Sequence, residues 1–164
     1  MLLIVLSLVF PAVMILAMVA DFRTFEIPDR LSLALVVAYP LAALSAGYAW
    51  QQILWAFVVG ALMLVAAIVM FALRIMGGGD GKLLASAALW TGHEQLLAFL
   101  LLTTLAGGIL AVALLLYRGL PLASRFAGVT VLRQLYEKKR EVPYAIAIGA
   151  AGLIMYPHLL ILRS

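Results

Sequence analysis

The chain has 164 residues, of which 67% are hydrophobic and 11% are charged, whereas soluble domains average about 45–50% apolar and about 25% charged residues. A soluble globule of this size cannot bury so many apolar side chains, so the composition excludes an ordinary soluble domain. The absence of cysteine excludes disulfides, cysteine-ligated metal centres and a thiol nucleophile. The formal net charge of +4 is typical of a membrane protein with basic cytoplasmic loops, and we expect no nucleic-acid partner.

Apolar runs predict an all-α fold, in which a single polytopic membrane domain over residues 1–164 contains about six transmembrane helices. Five of the runs approach the length of about 20 residues that a bilayer requires. The fourth is too short to cross, and we expect a short or partly re-entrant helix that turns at Thr91–Glu94. The six predicted helices are Leu2–Ala20, Leu31–Tyr48, Ile53–Leu73, Leu83–Trp90, Gln95–Tyr117 and Val142–Leu162.

The basic residues indicate how the chain is oriented. Ten of the 11 lie in three polar segments, residues 21–30, 74–82 and 118–141. Cytoplasmic loops are enriched in Lys and Arg, so we expect these three segments in the cytoplasm and both termini outside. In the last segment, apolar residues recur at helical spacing beside basic ones, which fits a helix lying on anionic lipid and fits a solvated linker equally well. These apolar residues are Phe126, Val129, Leu132 and Tyr136.

Two aspartates at the ends of spans are the candidates for chemistry, because a carboxylate close to hydrocarbon is costly and usually functional. Asp21 directly follows the first predicted span. Asp80 lies in the sequence GGGDG, residues 77–81, before the short fourth helix. By the distribution of basic residues both lie at the cytoplasmic boundary, so they can meet across the bundle although they are far apart in the sequence.

Two aspartates that face each other can share one proton, because ionising both would place like charges side by side. The ionised partner then acts as general base on a water molecule, and the protonated partner polarises a scissile carbonyl and later protonates the leaving amine. The glycines around Asp80 would supply backbone freedom at positive φ and room for a substrate strand. The start of a helix would help to keep this carboxylate ionised through the helix dipole.

The residues by themselves also allow plainer roles. Asp80 is equally consistent with a cap of the fourth helix, and Asp21 with an ordinary interfacial residue beside a span. Asp29 is better explained as a cap of the second helix than as a catalytic group. His93 and His158 fall at span ends without a local cluster of ligands, so we expect no metal site.

Three segments together resemble the type IV prepilin peptidases, the GxGD aspartyl proteases of the bacterial inner membrane. Residues 21–31, DFRTFEIPDRL, are similar to a family motif with an Asp at the end of span one followed by Ile-Pro-Asn-x-Leu. Residues 77–92, GGGDGKLLASAALWTG, are similar to GxGDxKLLA and the aromatic-x-Gly that ends the short helix. Residues 142–152, VPYAIAIGAAG, are similar to the Pro-Tyr-x-x-Ala opening of the last span. The matching positions include Asp21, Ile27, Pro28, Leu31, Gly78, Gly79, Asp80, Lys82, Leu83, Leu84, Ala85, Trp90, Gly92, Pro143 and Tyr144.

This resemblance implies an aspartic-type endopeptidase with Asp21 and Asp80 as the catalytic pair and with no cofactor. The substrate would be a prepilin whose short leader is removed on the cytoplasmic side of the inner membrane, usually just after a Gly, while its hydrophobic helix stays among the lipids. The chain looks like the short, protease-only form of tight-adherence (Flp) pilus systems, without a methyltransferase domain. Residues expected to support the motifs or the approach of the substrate are Gly77, Gly78, Gly79, Gly81, Lys82, Ile27, Pro28, Pro143 and Tyr144.

Two positions depart from the family pattern. Asp29 stands where Asn is usual and adds an acid near the site, although a capping role is still expected for it. Gly81 stands where Val is frequent and would loosen the turn after Asp80. The role of Lys82 is open among pairing with an acid, binding a phospholipid and contacting the substrate.

Other functions are alternatives to this one. A transporter or channel could use Asp80 as an ion or proton site at a broken helix, and a non-catalytic assembly factor could anchor a pilus or secretion complex through its basic loop. A protease of the presenilin or signal-peptide-peptidase type would have its first acid within a span. Gly149 and Gly152 are suited to close helix packing within the chain or between chains, so the oligomeric state is open.

Overall fold

The computed structural model describes residues 2–119 and 142–159, and within these ranges every regular element is helical. The expected all-α fold is confirmed for this part of the chain. The helices are α1 (Leu2–Ser7), α2 (Val9–Thr24), α3 (Asp29–Ser45), α4 (Trp50–Ala72), α5 (Gly78–Gly119) and α6 (Ala145–Met155), which a 3₁₀ turn (Tyr156–His158) follows.

Three helical stretches in the described ranges are long and apolar enough to cross a membrane, namely Leu3–Thr24, Trp50–Ala72 and Gly78–Tyr117. In the first of them α1 and α2 continue one another across Leu8, whose N–H and carbonyl both keep helical hydrogen bonds. The count of six spans stays a prediction. Residues 120–141, with the predicted amphipathic pattern and most of the basic loop, lie outside the described ranges, as does the predicted end of the last span.

Helices α2, α3 and α5 extend further into the polar segments than the apolar runs predicted. α2 continues four residues past the predicted first span, so Asp21 lies in its last turns rather than after it. The helix ends at Phe25, which adopts a left-handed backbone with φ of 57° and donates its N–H to the Asp21 carbonyl at 2.9 Å. The predicted polar segments therefore shrink to short connections, residues 25–28 and 73–77, because backbone hydrogen bonding continues beyond the apolar run.

α5 is broken at Gly92, whose φ of 62° and ψ of 178° are not helical. Asp80 from before the break and Gly107 from after it line the same cavity, whereas a straight helix would separate them by about 40 Å at 1.5 Å per residue. The chain therefore folds back here, and α5 consists of a first arm, residues 78–91, and a second arm, residues 93–119. The break falls inside the predicted turn.

Close packing of α6 on α2 brings the start of one helix beside the end of the other. A side chain at Gly149 would overlap Met18, and a Cβ at Gly152 would lie 3.1 Å from the Met14 sulfur. These two glycines therefore serve packing within the chain, one of the two alternatives that the sequence left open.

Trp90 fixes the first arm of α5 in the bundle. Its indole N–H donates to the carbonyl of Leu35 on α3 at 3.1 Å. Its ring packs against Phe10 and Tyr39, with centroid distances of 5.4 and 5.8 Å. Both α2 and α3 are thus tied to the arm of α5 that carries Asp80.

Candidate active site

Asp21 is directed into the bundle by the buried face of α2. Met14 and Ala17 precede it on this face at helical spacing, and only 5% of the Asp21 surface is exposed. Its Oδ2 accepts a hydrogen bond of 2.9 Å from the backbone N–H of Ala145, the first residue of α6. The first N–H groups of a helix have no partner within the helix. The carboxylate satisfies one of them.

Asp80 lies in the first turn of the first arm of α5, where its two carboxyl oxygens have different surroundings. The carboxyl group accepts backbone hydrogen bonds from Gly77 and Ala145 and interacts electrostatically with Asp21. Its Oδ1 is buried and has no hydrogen-bond partner among the described residues. The bond back to Gly77 is the one that the third residue of a capping box makes. Asp80 therefore does cap its helix, as one alternative held, and still has an oxygen left for chemistry.

The two carboxyl groups face one open cavity of about 950 Å³. Asp21 and Asp80 are the only acids among its described lining residues, and Arg74 is the only base. Much of the remaining wall is apolar and comes from the end of α4, the connection that follows it and the second arm of α5. These residues include Met70, Phe71, Ile75, Met76 and Ala111. Such a cavity combines acid–base groups with a wall suited to the side chains of a hydrophobic peptide.

The glycines around Asp80 provide space rather than unusual backbone angles. None of Gly77, Gly78, Gly79 and Gly81 has a positive φ, so the expected role as positive-φ residues is wrong. A Cβ at Gly77 would lie 2.8 Å from the Asp80 Oδ2, and one at Gly81 would lie 2.9 Å from the Ala67 Cβ on α4. Gly81 therefore does not loosen a turn, because it lies inside α5 at a close helix contact.

The segment Ile27–Pro28 packs directly on the glycine-rich segment, residues 77–81. A Cβ at Gly79 would lie 3.2 Å from the Cβ of Ile27, and Pro28 is the N-cap residue of α3. The two motifs that carry the aspartates are thus in contact with each other. Ile27 and Pro28 lie outside the set of residues that line the cavity.

Tyr144 closes the cavity from the start of α6, and Pro143 behind it is fully buried. The Tyr144 ring lies over Gly107 on the second arm, where a Cβ would come within 2.6 Å of it. Tyr144 also interacts electrostatically with Asp80. Neither Gly107 nor the N–H of Ala145 was assigned a role from the sequence. The proline before α6 hinted at a helix start, but Gly107 lies in an apolar run without any signal of its own.

Asp29 and Lys82 form an ion pair away from this cavity. The Lys82 Nζ donates to both carboxylate oxygens of Asp29 at 2.7 and 2.8 Å. Asp29 is the first residue of α3 and makes no cap hydrogen bond, since Pro28 occupies the N-cap position. The expectation that Asp29 caps the second helix is therefore wrong. Of the three roles that the sequence left open for Lys82, the structure shows the pairing with an acid.

These features define a helical membrane-type protein with two interacting carboxyl groups in one cavity. The family model of the type IV leader peptidase family matches residues 8–112, well over half of the chain and including both aspartates. The chain belongs to this family of proteases. Comparison with curated proteins and with solved structures gave no match.

Proposed function

We propose that the chain is a membrane aspartyl endopeptidase that removes the leader peptide of type IV or Flp-type prepilins, with Asp21 and Asp80 as its catalytic pair. The observation that carries this proposal is the meeting of the two aspartates. They come from helices far apart in the sequence, interact with each other and line one cavity with no other acid among its described lining residues.

The reaction needs one proton shared by the two carboxyl groups. The ionised carboxylate takes a proton from a water molecule, whose oxygen adds to the scissile carbonyl carbon. The protonated carboxyl group donates its proton to the carbonyl oxygen. As the tetrahedral intermediate collapses, the C–N bond breaks and the leaving nitrogen takes up the proton first removed from water. One hydroxyl of the intermediate returns its proton to the other carboxylate as the carbonyl of the product forms. Both carboxyl groups return to their starting state.

The surroundings of the two aspartates suggest how they divide these roles. The N–H of Ala145 contacts both carboxyl groups, so it stabilises the single negative charge of the pair without assigning that charge to one aspartate. The Oδ1 of Asp80 has no partner among the described residues, so it is the atom available to hold the proton and donate it to the carbonyl oxygen.

The position of the cavity supports cleavage at the cytoplasmic boundary of the inner membrane. The connection after α2, the connection after α4 and the start of α6 all contribute to this cavity, through Phe25, Arg74 and Tyr144. These connections and their flanks carry Arg23, Arg30, Arg74 and Lys82, which the positive-inside rule assigns to the cytoplasm. We further propose that the chain crosses the membrane six times and that residues 1–164 form one membrane domain whose two ends lie outside the cytoplasm.

Co-expression with an Flp-type prepilin tests the function directly. Wild type should shorten the prepilin, as seen by electrophoresis, and N-terminal sequencing should place the cut after a Gly of the leader. A well-inserted wild type that leaves several such prepilins intact would contradict the proposal.

Gly107→Ala should lower leader removal, because the new Cβ would displace the Tyr144 ring from beside Asp80. We expect a loss of up to about tenfold in kcat/KM, as is typical of small displacements near a reacting group. The matched control is Gly108→Ala, since nothing lies within 4 Å of a Cβ there. Steady-state kinetics on a prepilin peptide would measure both, and equal activity of the two variants would remove Tyr144 from the site.

Asp29→Asn should change little, because the ion pair that it breaks is exposed to solvent. The side chains of Lys82 and Asp29 are 51% and 73% exposed, and exposed pairs contribute less than about 1 kcal/mol to stability. We expect leader removal within about twofold of wild type and nearly unchanged thermal unfolding in detergent. A large loss of activity with an unchanged unfolding temperature would show that Asp29 takes part in the reaction.

A further inference from the structure

A second groove, separate from the aspartate cavity, runs between α3 and α4. Both helices pack closely on α5 and make few contacts with each other. The first arm of α5 therefore forms the floor of an open trough of about 660 Å³. The trough shares no lining residue with the cavity of Asp21 and Asp80.

The trough is lined mainly by apolar side chains and extends from the charged residues at one end to Phe57 at the other. Its floor from Lys82 to Leu89 spans about 10 Å at 1.5 Å per residue. Small residues give it depth, because a Cβ at Gly60 on α4 would lie within 2.6 Å of the Leu89 side chain. At the far end Phe57 packs edge-on against Tyr39 with a centroid distance of 6.1 Å. The larger apolar side chains of the wall are Leu33, Val36, Phe57, Leu64 and Leu89.

The other end of the trough carries charge. Arg30, Lys82 and Asp29 line this mouth, and the ion pair of the last two leaves one net positive charge. Ser32, one turn below the charged level, also lines the trough and is only 8% exposed. Its Oγ is buried and has no hydrogen-bond partner among the described residues. The trough thus joins a cationic mouth, an unsatisfied hydroxyl and a long apolar wall.

We propose that this trough binds one anionic phospholipid. The phosphate lies at Arg30 and Lys82, an ester oxygen of the glycerol backbone supplies a partner for the Ser32 hydroxyl, and an acyl chain follows the apolar wall toward Phe57. Positive charge at one end only matches the polarity of a lipid molecule. The hydrophobic helix of a substrate is a poorer occupant, because its cleavage site must reach the separate cavity of Asp21 and Asp80.

Lipid retention by the purified protein tests the charged end. The full chain in detergent is titrated with phosphatidylglycerol or phosphatidylcholine, and bound lipid is counted by native mass spectrometry. Wild type should retain one phosphatidylglycerol in preference to phosphatidylcholine. Arg30→Gln should weaken this binding about fivefold, the effect of one basic residue at a membrane surface. Arg23→Gln is the control, a basic residue on the same side but outside the trough. Equal effects of the two variants would overturn the proposal.

A second pair of variants tests the apolar wall independently of charge. Ala61→Phe places a ring inside the trough, whereas Leu62→Phe places one on the neighbouring exposed surface outside it. The first should abolish specific retention of phosphatidylglycerol, and the second should leave it unchanged. A photoreactive residue at position 61 should crosslink to lipid. Crosslinking to a co-expressed prepilin instead, or equal retention by both variants, would overturn the proposal.

Discussion

Asp21→Asn and Asp80→Asn should each abolish leader removal while leaving the protein in the membrane. Either change deprives the pair of a group that can gain and lose a proton, and the loss of general acid–base catalysis costs about 10²–10⁴-fold in rate. Asn keeps the size of the side chain, and at position 21 its amide oxygen can still accept the hydrogen bond from Ala145. The fold should therefore survive both changes.

The measurement is prepilin cleavage in membranes that contain equal amounts of each variant. Asp29→Asn is the matched control, since it removes a carboxylate from the same end of the bundle at a position outside the cavity. Asp21→Asn and Asp80→Asn should show no product within the time in which wild type and Asp29→Asn finish. Cleavage by the Asp21→Asn variant or by the Asp80→Asn variant would remove the substituted aspartate from the mechanism. Such a result would favour an assembly or transport role.

The meeting of the two aspartates could be predicted because two independent signals agreed. The distribution of basic residues put both acids at one end of the bundle, and the motifs in residues 21–31 and 77–92 paired them. The break in α5 was also predictable, because the run before Thr91 is too short to cross a bilayer unless the chain turns. Such features depend on length, charge and local sequence, which can be read before the helices are arranged.

Contacts between helices could not be predicted in the same way. The pairing of Asp29 with Lys82 joins residues 53 positions apart, and nothing local distinguishes this acid from a helix cap. Nearly every face of these helices is apolar, so periodicity does not show which face meets which neighbour. For this reason the placement of Gly107 beneath Tyr144, and of the Ala145 amide beside Asp21, emerged only from the structure.

Gly77→Ala should reduce the rate of cleavage by about 10–100-fold, the cost of a misplaced catalytic group. The backbone at position 77 has no positive φ, so alanine can adopt it without strain. The added Cβ, however, would lie 2.8 Å from the Asp80 Oδ2, which is too close for a carbon and an oxygen that are not bonded. The carboxyl group would have to turn away from the Gly77 N–H and from Asp21. The substitution thus disturbs one catalytic group without removing it.

Gly78→Ala provides the comparison, because a Cβ at this neighbouring position would make only an ordinary contact of 3.5 Å with the ring of Phe71. Alanine is favoured over glycine inside a helix by up to about 1 kcal/mol, which applies to Gly78, the first residue of α5. Gly77 precedes the helix at the N-cap position, where glycine is preferred to alanine, so thermal unfolding of both variants is measured as a control. Kinetics on a prepilin peptide should show a lower kcat with little change in KM for Gly77→Ala, and nearly wild-type values for Gly78→Ala. If both variants lose activity equally, these glycines serve the helix start as a whole. If neither does, the orientation of the Asp80 carboxyl group does not limit the reaction.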